Sequence, residues 1–177
     1  KLNKDKPLII FTQHSVTTEF HLTYKQFKAS FDALSSLSQE YQIIVTYPNN
    51  DVGSLKAIKR YFNNKTNNKN IHIYKSLGRY FYHGILALNL NKWKIICVGN
   101  SSSGIKETPI FKCPTVNIGS RQQSRLRGKN IIDVNYKKIE IIKAIHRCIY
   151  DNKFLMNCKK TNNPYGIGKS ADKVEKY

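Results

Sequence analysis

Short apolar runs alternate along the chain with longer segments in which apolar residues recur every three or four positions. The short runs are rich in Ile and Val and are bounded by polar loops, which is typical of buried β-strands. Six segments have this character: 7–12, 41–47, 70–75, 94–99, 114–119 and 129–134. The helical spacing predicts helices over 23–39, 78–91 and 137–151, with Thr23 as an N-cap, and a further helix after Ser54.

The alternation of strands and helices predicts an α/β fold in which a parallel sheet carries helices on both faces. In such sheets, ligands bind beyond the carboxyl ends of the strands. Polar stretches that directly follow predicted strands should therefore lie along one rim of the sheet. These stretches are residues 12–19, 48–54, 76–79, 100–107 and 119–127.

Three consecutive serines, Ser101, Ser102 and Ser103, follow the fourth predicted strand and lead into a helix through Gly104. The N–H groups at a helix start and the positive end of the helix dipole favour an anion. Serine hydroxyls would add donors, and a glycine lets a phosphate approach the backbone. The stretch lacks the GxxxxGK[ST] pattern of a Walker loop. Ordinary N-capping is the alternative, but three hydroxyls exceed what a cap needs, so we favour an anion site.

Glu107 lies about one turn into the same predicted helix. A carboxylate at this place can simply complement the helix dipole. Beside a phosphate it would be repelled, unless it accepts hydrogen bonds from neutral hydroxyls such as those of a ribose. The serines and the carboxylate together therefore predict half of a nucleotide site.

The formal net charge of +19 is the strongest signal in the composition. Such a charge is typical of proteins that bind nucleic acids or other polyanions. The lysines, however, are spread along the whole chain, without a block of like charges and without an aromatic–basic recognition motif. We interpret most of the excess as solvated surface, and a basic nucleic-acid-binding domain without catalysis stays open as an alternative.

The four cysteines, Cys97, Cys113, Cys148 and Cys158, form neither a CxxC pair nor a zinc-finger spacing. We expect buried, reduced thiols, with no metal and no cofactor. No apolar run is long enough for a transmembrane helix, and the run near the start is too short for a signal peptide. A cytoplasmic protein without a membrane partner is expected. Because the sequence begins almost directly on a strand, we also expect a further part upstream.

The run "VGNSSSGIKETPIFKCPTVNIGSRQQSRLRGKNII" resembles the hydrolysing UDP-N-acetylglucosamine 2-epimerases. The stretches "QHSVTTE", "YPNNDVGS" and "NPYGIGKSADKVEKY" extend the resemblance over nearly the whole chain, in consistent order. The resemblance is to the carboxyl-terminal half of that family only. Non-hydrolysing epimerases usually read Gly-His-Arg-Arg-Glu where this chain has "QHSVTT", and glycosyltransferases of the same fold more often show a Glu-rich donor motif. Both remain alternatives.

The resemblance implies a fold similar to glycosyltransferase B, in which two Rossmann-like lobes face a cleft. Residues 1–177 would form the second lobe, which binds UDP. The family reaction eliminates UDP from UDP-GlcNAc, and water then adds at C2 to give N-acetylmannosamine, a precursor of sialic acid-type sugars. The carboxylates that move the C2 proton lie in the family's first lobe, so the resemblance implies an inactive isolated chain. The full-length enzyme would pair this lobe with the missing amino-terminal lobe and form a homo-oligomer.

The resemblance also implies roles for single residues. Ser101 and Ser102 match the hydroxyls that hold the diphosphate, and Glu107 matches the acid that accepts from the ribose hydroxyls. Arg121 matches an arginine at the nucleotide rim, where a guanidinium pairs well with oxygen anions.

The first two polar loops contribute the other two matched residues. His14 matches the catalytic histidine that assists departure of UDP, and Asn49 matches an asparagine near the nucleotide. Ser15 replaces a family proline, and Ser124 stands where a glycine is common. The other histidines match no family position and are interpreted as surface or helix-face residues: His21, His72, His83 and His146.

Overall fold

The computed structural model describes residues 2–49, 68–166 and 168. All six predicted strands are present: β1 (Leu8–Thr12), β2 (Gln42–Thr46), β3 (Ile71–Tyr74), β4 (Ile95–Gly99), β5 (Thr115–Ile118) and β6 (Ile131–Val134). The described helices are α1 (Thr23–Leu37), α2 (Gly78–Leu88), α3 (Ser103–Lys106), α4 (Lys138–Tyr150) and α5 (Asn152–Lys159). Short 3-10 segments span Thr17–Leu22 and Asn89–Asn91. The helix predicted after Ser54 lies outside the described residues.

The strands form one parallel sheet in the order β3-β2-β1-β4-β5-β6. The chain moves outward from β1 to β3 and then returns to the other side of β1 to build β4, β5 and β6. The direction of winding therefore reverses between β1 and β4. At such a reversal the loops after the two strands diverge, and a crevice opens at their carboxyl ends.

Residues of β1 alternate between two apolar cores, one on each face of the sheet. Ile9 and Phe11 pack with residues of α1, α4 and α5, whereas Leu8 and Ile10 pack with Leu86 of α2. The side chains of these four β1 residues are fully buried, because a central parallel strand is covered on both faces. Helices on both faces of a parallel sheet confirm the predicted α/β, Rossmann-like fold.

Two helix starts differ from the sequence prediction. Thr23 is the first residue of α1 and not its N-cap, and its hydroxyl donates to the Phe20 carbonyl at 2.7 Å. Helix α5 was not predicted from the sequence. It begins after Asp151, whose carboxylate accepts the Phe154 N–H at 3.0 Å, so a normal capping residue was present in the sequence.

The four cysteines are buried and form no disulfide, as predicted. Burial raises the pKa of the Cys97 thiol to about 11 and that of Cys158 to about 12. Such thiols stay protonated at neutral pH, which is the behaviour of packing residues and not of reactive ones. Within the described residues, no helix has the length and apolar character needed to cross a membrane.

Candidate functional site

Gly99 ends β4 at the point where the sheet reverses. Its φ of +127° is unfavourable for residues with a side chain, and a Cβ atom there would lie 2.0 Å from the carbonyl oxygen of Thr12. A glycine is therefore required for the ends of β1 and β4 to approach this closely. The loops that follow the two strands begin side by side.

Asn100, the next residue, is fully buried and holds three loops together. Its Oδ1 accepts the backbone N–H of His14 at 2.7 Å, and its Nδ2 donates to the carbonyl of His14 at 2.9 Å. Its own N–H donates to Thr12 at 3.1 Å. Its carbonyl accepts from Gln122 at 2.8 Å and from the Arg121 guanidinium at 3.3 Å. The loops after β1, β4 and β5 are fixed to one another through this single side chain and its backbone.

The ring of His14 is positioned by Asn49. The backbone N–H of Asn49 lies 3.0 Å from His14 Nδ1, and the Asn49 side-chain oxygen lies 3.1 Å from the same nitrogen. Asn49 thus offers Nδ1 a donor when the imidazole is neutral and an acceptor when it is protonated. When Nδ1 accepts the Asn49 N–H, the proton of the neutral ring is on Nε2, and His14 can donate a hydrogen bond from Nε2.

The serine hydroxyls after β4 are linked in a row. Ser101 Oγ lies 3.0 Å from Ser103 Oγ, which in turn lies 3.0 Å from the Tyr82 hydroxyl on α2. Ser102 occupies the N-cap position of α3, but its side chain makes no capping hydrogen bond. Ordinary N-capping therefore does not explain Ser102, and the half-buried hydroxyl stays available for another partner.

Two features of this loop differ from expectation. Helix α3 spans only Ser103–Lys106, a single turn, so its dipole contributes less to anion binding than a long helix would. Gly104 faces the protein interior, where a Cβ would lie 3.3 Å from Thr115 and 3.5 Å from Cys97. Its small size permits close packing of α3 on the sheet and does not open the backbone to a ligand.

Glu107 ends the turn that begins with the serines and contacts α2. Its Oε2 lies 2.5 Å from His83 Nε2, and both side chains are partly exposed, at 38% and 32%. The sequence interpretation gave His83 no part in the site. The pair joins residues that are 24 positions apart in the chain, so no local sequence pattern could have indicated this contact.

A cavity of about 710 Å³ opens beside this pair, at the carboxyl ends of β1 and β2. Its size is within the usual range for small-molecule sites. Its lining includes Ser103, Tyr82, His83 and Glu107, together with residues 75–79, which span the end of the loop after β3 and the start of α2. Among the described residues that line the cavity, Glu107 carries the one carboxylate, whereas Lys75 and Arg79 add positive charge. The cavity therefore suits a ligand with an anionic part and hydroxyl groups.

The arginine-containing loop after β5 is held from two sides. Ser120 donates to Glu19 Oε1 at 2.6 Å, and Glu19 Oε2 accepts from Gln26 of α1 at 2.5 Å. Arg127, a further arginine of this loop, pairs with Asp133 of β6 at 2.8 Å and so points to the sheet edge. Arg121, in contrast, places its guanidinium near Asn100, where the winding direction of the sheet reverses.

Sequence reasoning named six site residues, and they fall in neighbouring parts of one rim. His14 and Arg121 contact Asn100, and Asn49 contacts His14, whereas Glu107 lines the cavity. Ser101 and Ser102 follow Asn100 directly. Asn100, Tyr82 and His83 were missed. Asn100 lies inside the quoted motif directly after a strand, and this position was the signal that could have identified it.

Comparison with known proteins gives the family. The model of the UDP-N-acetylglucosamine 2-epimerase family matches residues 1–177. The chain belongs to this family. A UDP-N-acetylglucosamine 2-epimerase of Neisseria meningitidis is 36% identical over 141 residues, which are 80% of this chain and 35% of that protein. A GDP/UDP-N,N'-diacetylbacillosamine 2-epimerase (hydrolyzing) of Campylobacter jejuni is 35% identical over 136 residues, 75% of this chain and 33% of that protein.

Solved epimerase structures share the fold of this epimerase-family chain. The Methanocaldococcus jannaschii UDP-GlcNAc 2-epimerase in complex with UDP-GlcNAc and UDP superimposes with a TM-score of 0.71 at 17% identity, over 97% of this chain and 44% of that chain. The Neisseria meningitidis UDP-GlcNAc 2-epimerase bound to UDP-GlcNAc gives 0.66 at 17% identity, over 98% and 44%. The chain thus spans less than half of the proteins it matches.

Proposed function

We propose that this chain is the UDP-binding lobe of a hydrolysing UDP-N-acetylglucosamine 2-epimerase, which releases N-acetylmannosamine and UDP for the synthesis of sialic acid-type sugars. One observation carries the proposal: Ser103, which ends the serine loop (Ser101–Ser103), and Glu107 line a single cavity of about 710 Å³ at the carboxyl end of the sheet. Hydroxyl donors suit a diphosphate, and a carboxylate suits ribose hydroxyls, so both halves of a nucleotide are matched at one rim.

The diphosphate is assigned to Ser101, Ser102 and Arg121. Ser102 makes no capping bond, and Arg121 reaches the carbonyl of Asn100, the residue directly before the serines. Hydroxyls and a guanidinium on either side of Asn100 can bind the oxygens of two linked phosphates. Because α3 is a single turn, these side chains and not a helix dipole supply most of the attraction.

The ribose is assigned to Glu107 and the base to the remaining cavity. Glu107 would accept hydrogen bonds from the ribose hydroxyls, which keeps its negative charge away from the phosphates. The loop after β3 and the start of α2, residues 75–79, also line the cavity. Backbone groups of such a loop can pair with the polar edge of uracil.

His14 is assigned to the departure of UDP. With Nδ1 accepting the Asn49 N–H, His14 donates from Nε2 and can stabilise the negative charge that develops on the leaving diphosphate. In the complete two-lobe protein, His14→Gln is expected to lower kcat much more than it changes the affinity for UDP, as the kinetic parameters would report. A loss of UDP affinity with an unchanged kcat would exclude this role.

The hydrolysing type is favoured over the alternatives by two observations. The first loop reads "QHSVTT", and two of the similar relatives, from Campylobacter jejuni and Legionella pneumophila, are named as hydrolysing enzymes. The chain spans between 33% and 41% of these two relatives, which agrees with a missing amino-terminal lobe. The proton-transferring carboxylates are assigned to that lobe, so the chain alone should bind UDP without converting UDP-GlcNAc.

Titration of the 177-residue chain with UDP, followed by NMR or calorimetry, tests the proposal. We expect weak, saturable binding that depends little on salt, and no release of N-acetylmannosamine from UDP-GlcNAc. The double variant Ser101→Ala, Ser102→Ala should weaken both UDP and pyrophosphate. Nucleic-acid affinity that falls steeply with salt, without UDP binding, would instead favour the basic nucleic-acid-binding domain.

A further inference from the structure

Helix α2 contacts both halves of the proposed nucleotide site through two consecutive residues. The Tyr82 hydroxyl lies 3.0 Å from Ser103 Oγ, and His83 Nε2 lies 2.5 Å from Glu107 Oε2. All four residues line the same cavity. We propose that Tyr82 and His83 are positioning residues, of which Tyr82 orients the serine hydroxyls for the diphosphate and His83 orients Glu107 for the ribose. The inference rests on the proposed function.

The Tyr82 branch is a chain of hydroxyls that ends at Ser101. Burial raises the pKa of the Tyr82 hydroxyl well above its usual value, so it stays protonated and can donate to Ser103. The Cys97 thiol, 3.5 Å away in the apolar core, can then donate to the Tyr82 oxygen. In this direction, Ser103 Oγ donates to Ser101 Oγ over 3.0 Å. In the proposed arrangement each hydroxyl donates outward, from Tyr82 to Ser103 and from Ser103 to Ser101.

This direction makes Ser101 a donor to a ligand. Ser101 Oγ lies 3.4 Å from the backbone N–H of Ser103, which donates to it, and it also accepts from the Ser103 hydroxyl. A serine oxygen has two lone pairs, and both are then occupied. The Ser101 proton is left to donate, and an anionic oxygen is the partner it suits best. Without the Tyr82 hydroxyl, Ser103 can reverse its donation and the preference of Ser101 for an anion is lost.

The His83 branch fixes one oxygen of a carboxylate. The imidazole of His83 is held between neighbouring rings, with the Phe111 centroid at 5.5 Å and the Tyr82 centroid at 6.1 Å. Its Nε2–H donates to Glu107 Oε2, so the carboxylate, which lines the cavity, cannot rotate freely, and Oε1 is the oxygen left for the ribose hydroxyls. One oxygen can accept from both ribose hydroxyls, because a carboxylate oxygen has two lone pairs.

The two branches predict different patterns of probe binding in the variants Tyr82→Phe and His83→Leu. The probes are UDP, 2′,3′-dideoxy-UDP and pyrophosphate, titrated into the 177-residue chain. Tyr82→Phe should weaken all three probes by about fivefold, and it should leave the ratio of dideoxy-UDP to UDP dissociation constants unchanged. His83→Leu should weaken UDP about tenfold, leave dideoxy-UDP and pyrophosphate unchanged, and so bring that ratio close to one. His83→Gln, which keeps a side-chain donor, should restore most of the ratio.

Two further variants separate positioning from general damage to α2. Phe81→Leu changes the neighbouring residue, whose ring is 67% exposed, and should leave all three probes unaffected. Ser103→Ala breaks the hydroxyl chain from α3 and should reproduce the Tyr82→Phe pattern without a change in α2. Thermal melting of each variant reports its folding.

The outcomes distinguish this inference from the proposed function. If the wild-type chain binds UDP but His83→Leu weakens all probes equally, or Tyr82→Phe weakens none, positioning by α2 is wrong and the UDP site stands. If the wild-type chain binds no UDP, the proposed function fails, and the inference fails with it.

Discussion

The side chain of Asn100 pairs with both backbone polar groups of His14, at 2.7 Å to the N–H and 2.9 Å to the carbonyl. An amide is suited to this task because it carries a donor and an acceptor at one end. The pairing joins the loops after β1 and β4 at the reversal of the sheet. In consequence, the position of His14 depends on a residue that touches no ligand in the proposed site.

Replacement of Asn100 should separate these loops. In Asn100→Ala, both backbone groups of His14 lose their partners, and we expect a loss of about 2 kcal/mol in the free energy of unfolding. UDP affinity should also fall, because the loop that carries His14 loses its side-chain link to the residue directly before the serines, although the backbone carbonyl that accepts from Arg121 is kept. Denaturant unfolding and UDP titration measure the two effects.

Asn130→Ala is the matched control for this variant. Asn130 is also fully buried and donates to Cys113 at 2.7 Å and to Thr108 at 3.1 Å, so its loss should destabilise the fold to a similar extent. UDP affinity should be unchanged in Asn130→Ala. Equal losses of affinity in both variants would mean that Asn100 acts only through general stability.

Ser124 adopts a left-handed backbone conformation with φ of +67°. A side chain is unfavourable in this region, and glycine is common at the matching position in the family that the sequence resembles. The left-handed conformation costs a residue with a side chain about 1–2 kcal/mol, and the entropy of glycine in the unfolded chain offsets about 0.5–1 kcal/mol of this, so Ser124→Gly should raise the free energy of unfolding by about 0.5–1 kcal/mol. Ser120→Gly in the same loop should not stabilise, because it removes the hydrogen bond to Glu19. A destabilised Ser124→Gly in thermal or denaturant unfolding would contradict the prediction.

Removal of the Glu107 carboxylate should separate ribose recognition from diphosphate recognition. Glu107→Ala is expected to weaken UDP at least tenfold and to leave pyrophosphate binding intact, since hydrogen bonds to a charged group contribute about 1.5–3 kcal/mol. Glu140→Ala on α4 removes a carboxylate that pairs with Lys137 at 3.1 Å, and it should affect neither ligand. Equal loss of UDP and pyrophosphate in Glu107→Ala would argue against the ribose assignment.

The buried thiols predict lower stability at alkaline pH. Burial raises the pKa of Cys97 from 9.0 to about 11, so between these values the unfolded chain loses the proton and the folded chain keeps it. The unfolded state then binds fewer protons, and the stabilising contribution of Cys97, full below pH 9, falls as pH rises to about 11. The loss is about 1.4 kcal/mol for each pH unit.

Cys97→Ala isolates this contribution, because the net charge of the chain also changes over the same pH range. The free energy of unfolding should fall less steeply in the variant than in the wild type, by about 2–3 kcal/mol in total between pH 9 and 11. Parallel pH profiles of the two proteins, measured by denaturant unfolding, would show that the Cys97 thiol is not protected by the fold.

Much of the fold could be predicted from the sequence, because its signals are local. In β1 a run of large apolar residues predicts a strand covered on both faces, and the structure has Leu8, Ile9 and Ile10 fully buried. The α5 helix was missed although Asp151 and Phe154 form its cap, because the sequence was read there as the end of α4. The polar stretches after strands correctly indicated one rim for the described residues, whereas residues 50–54 of the second stretch lie outside them.

The contacts within the site could not be predicted in the same way, because they join residues that are distant in sequence. His83 and Glu107 are 24 positions apart, and the Asn100 pairing with His14 spans 86. Gly104 shows a second limit of prediction from the sequence. A glycine after serines suggests room for a phosphate, but here it provides room for Thr115 and Cys97 inside the fold. Sequence alone does not give the direction in which the missing side chain would point.

A crystal structure of the chain soaked with UDP is the decisive measurement for the proposed nucleotide site. We expect diphosphate oxygens within hydrogen-bonding distance of the Ser101 and Ser102 hydroxyls, and ribose hydroxyls on the Glu107 carboxylate. UDP bound at another surface, or no bound UDP at millimolar concentration, would contradict it.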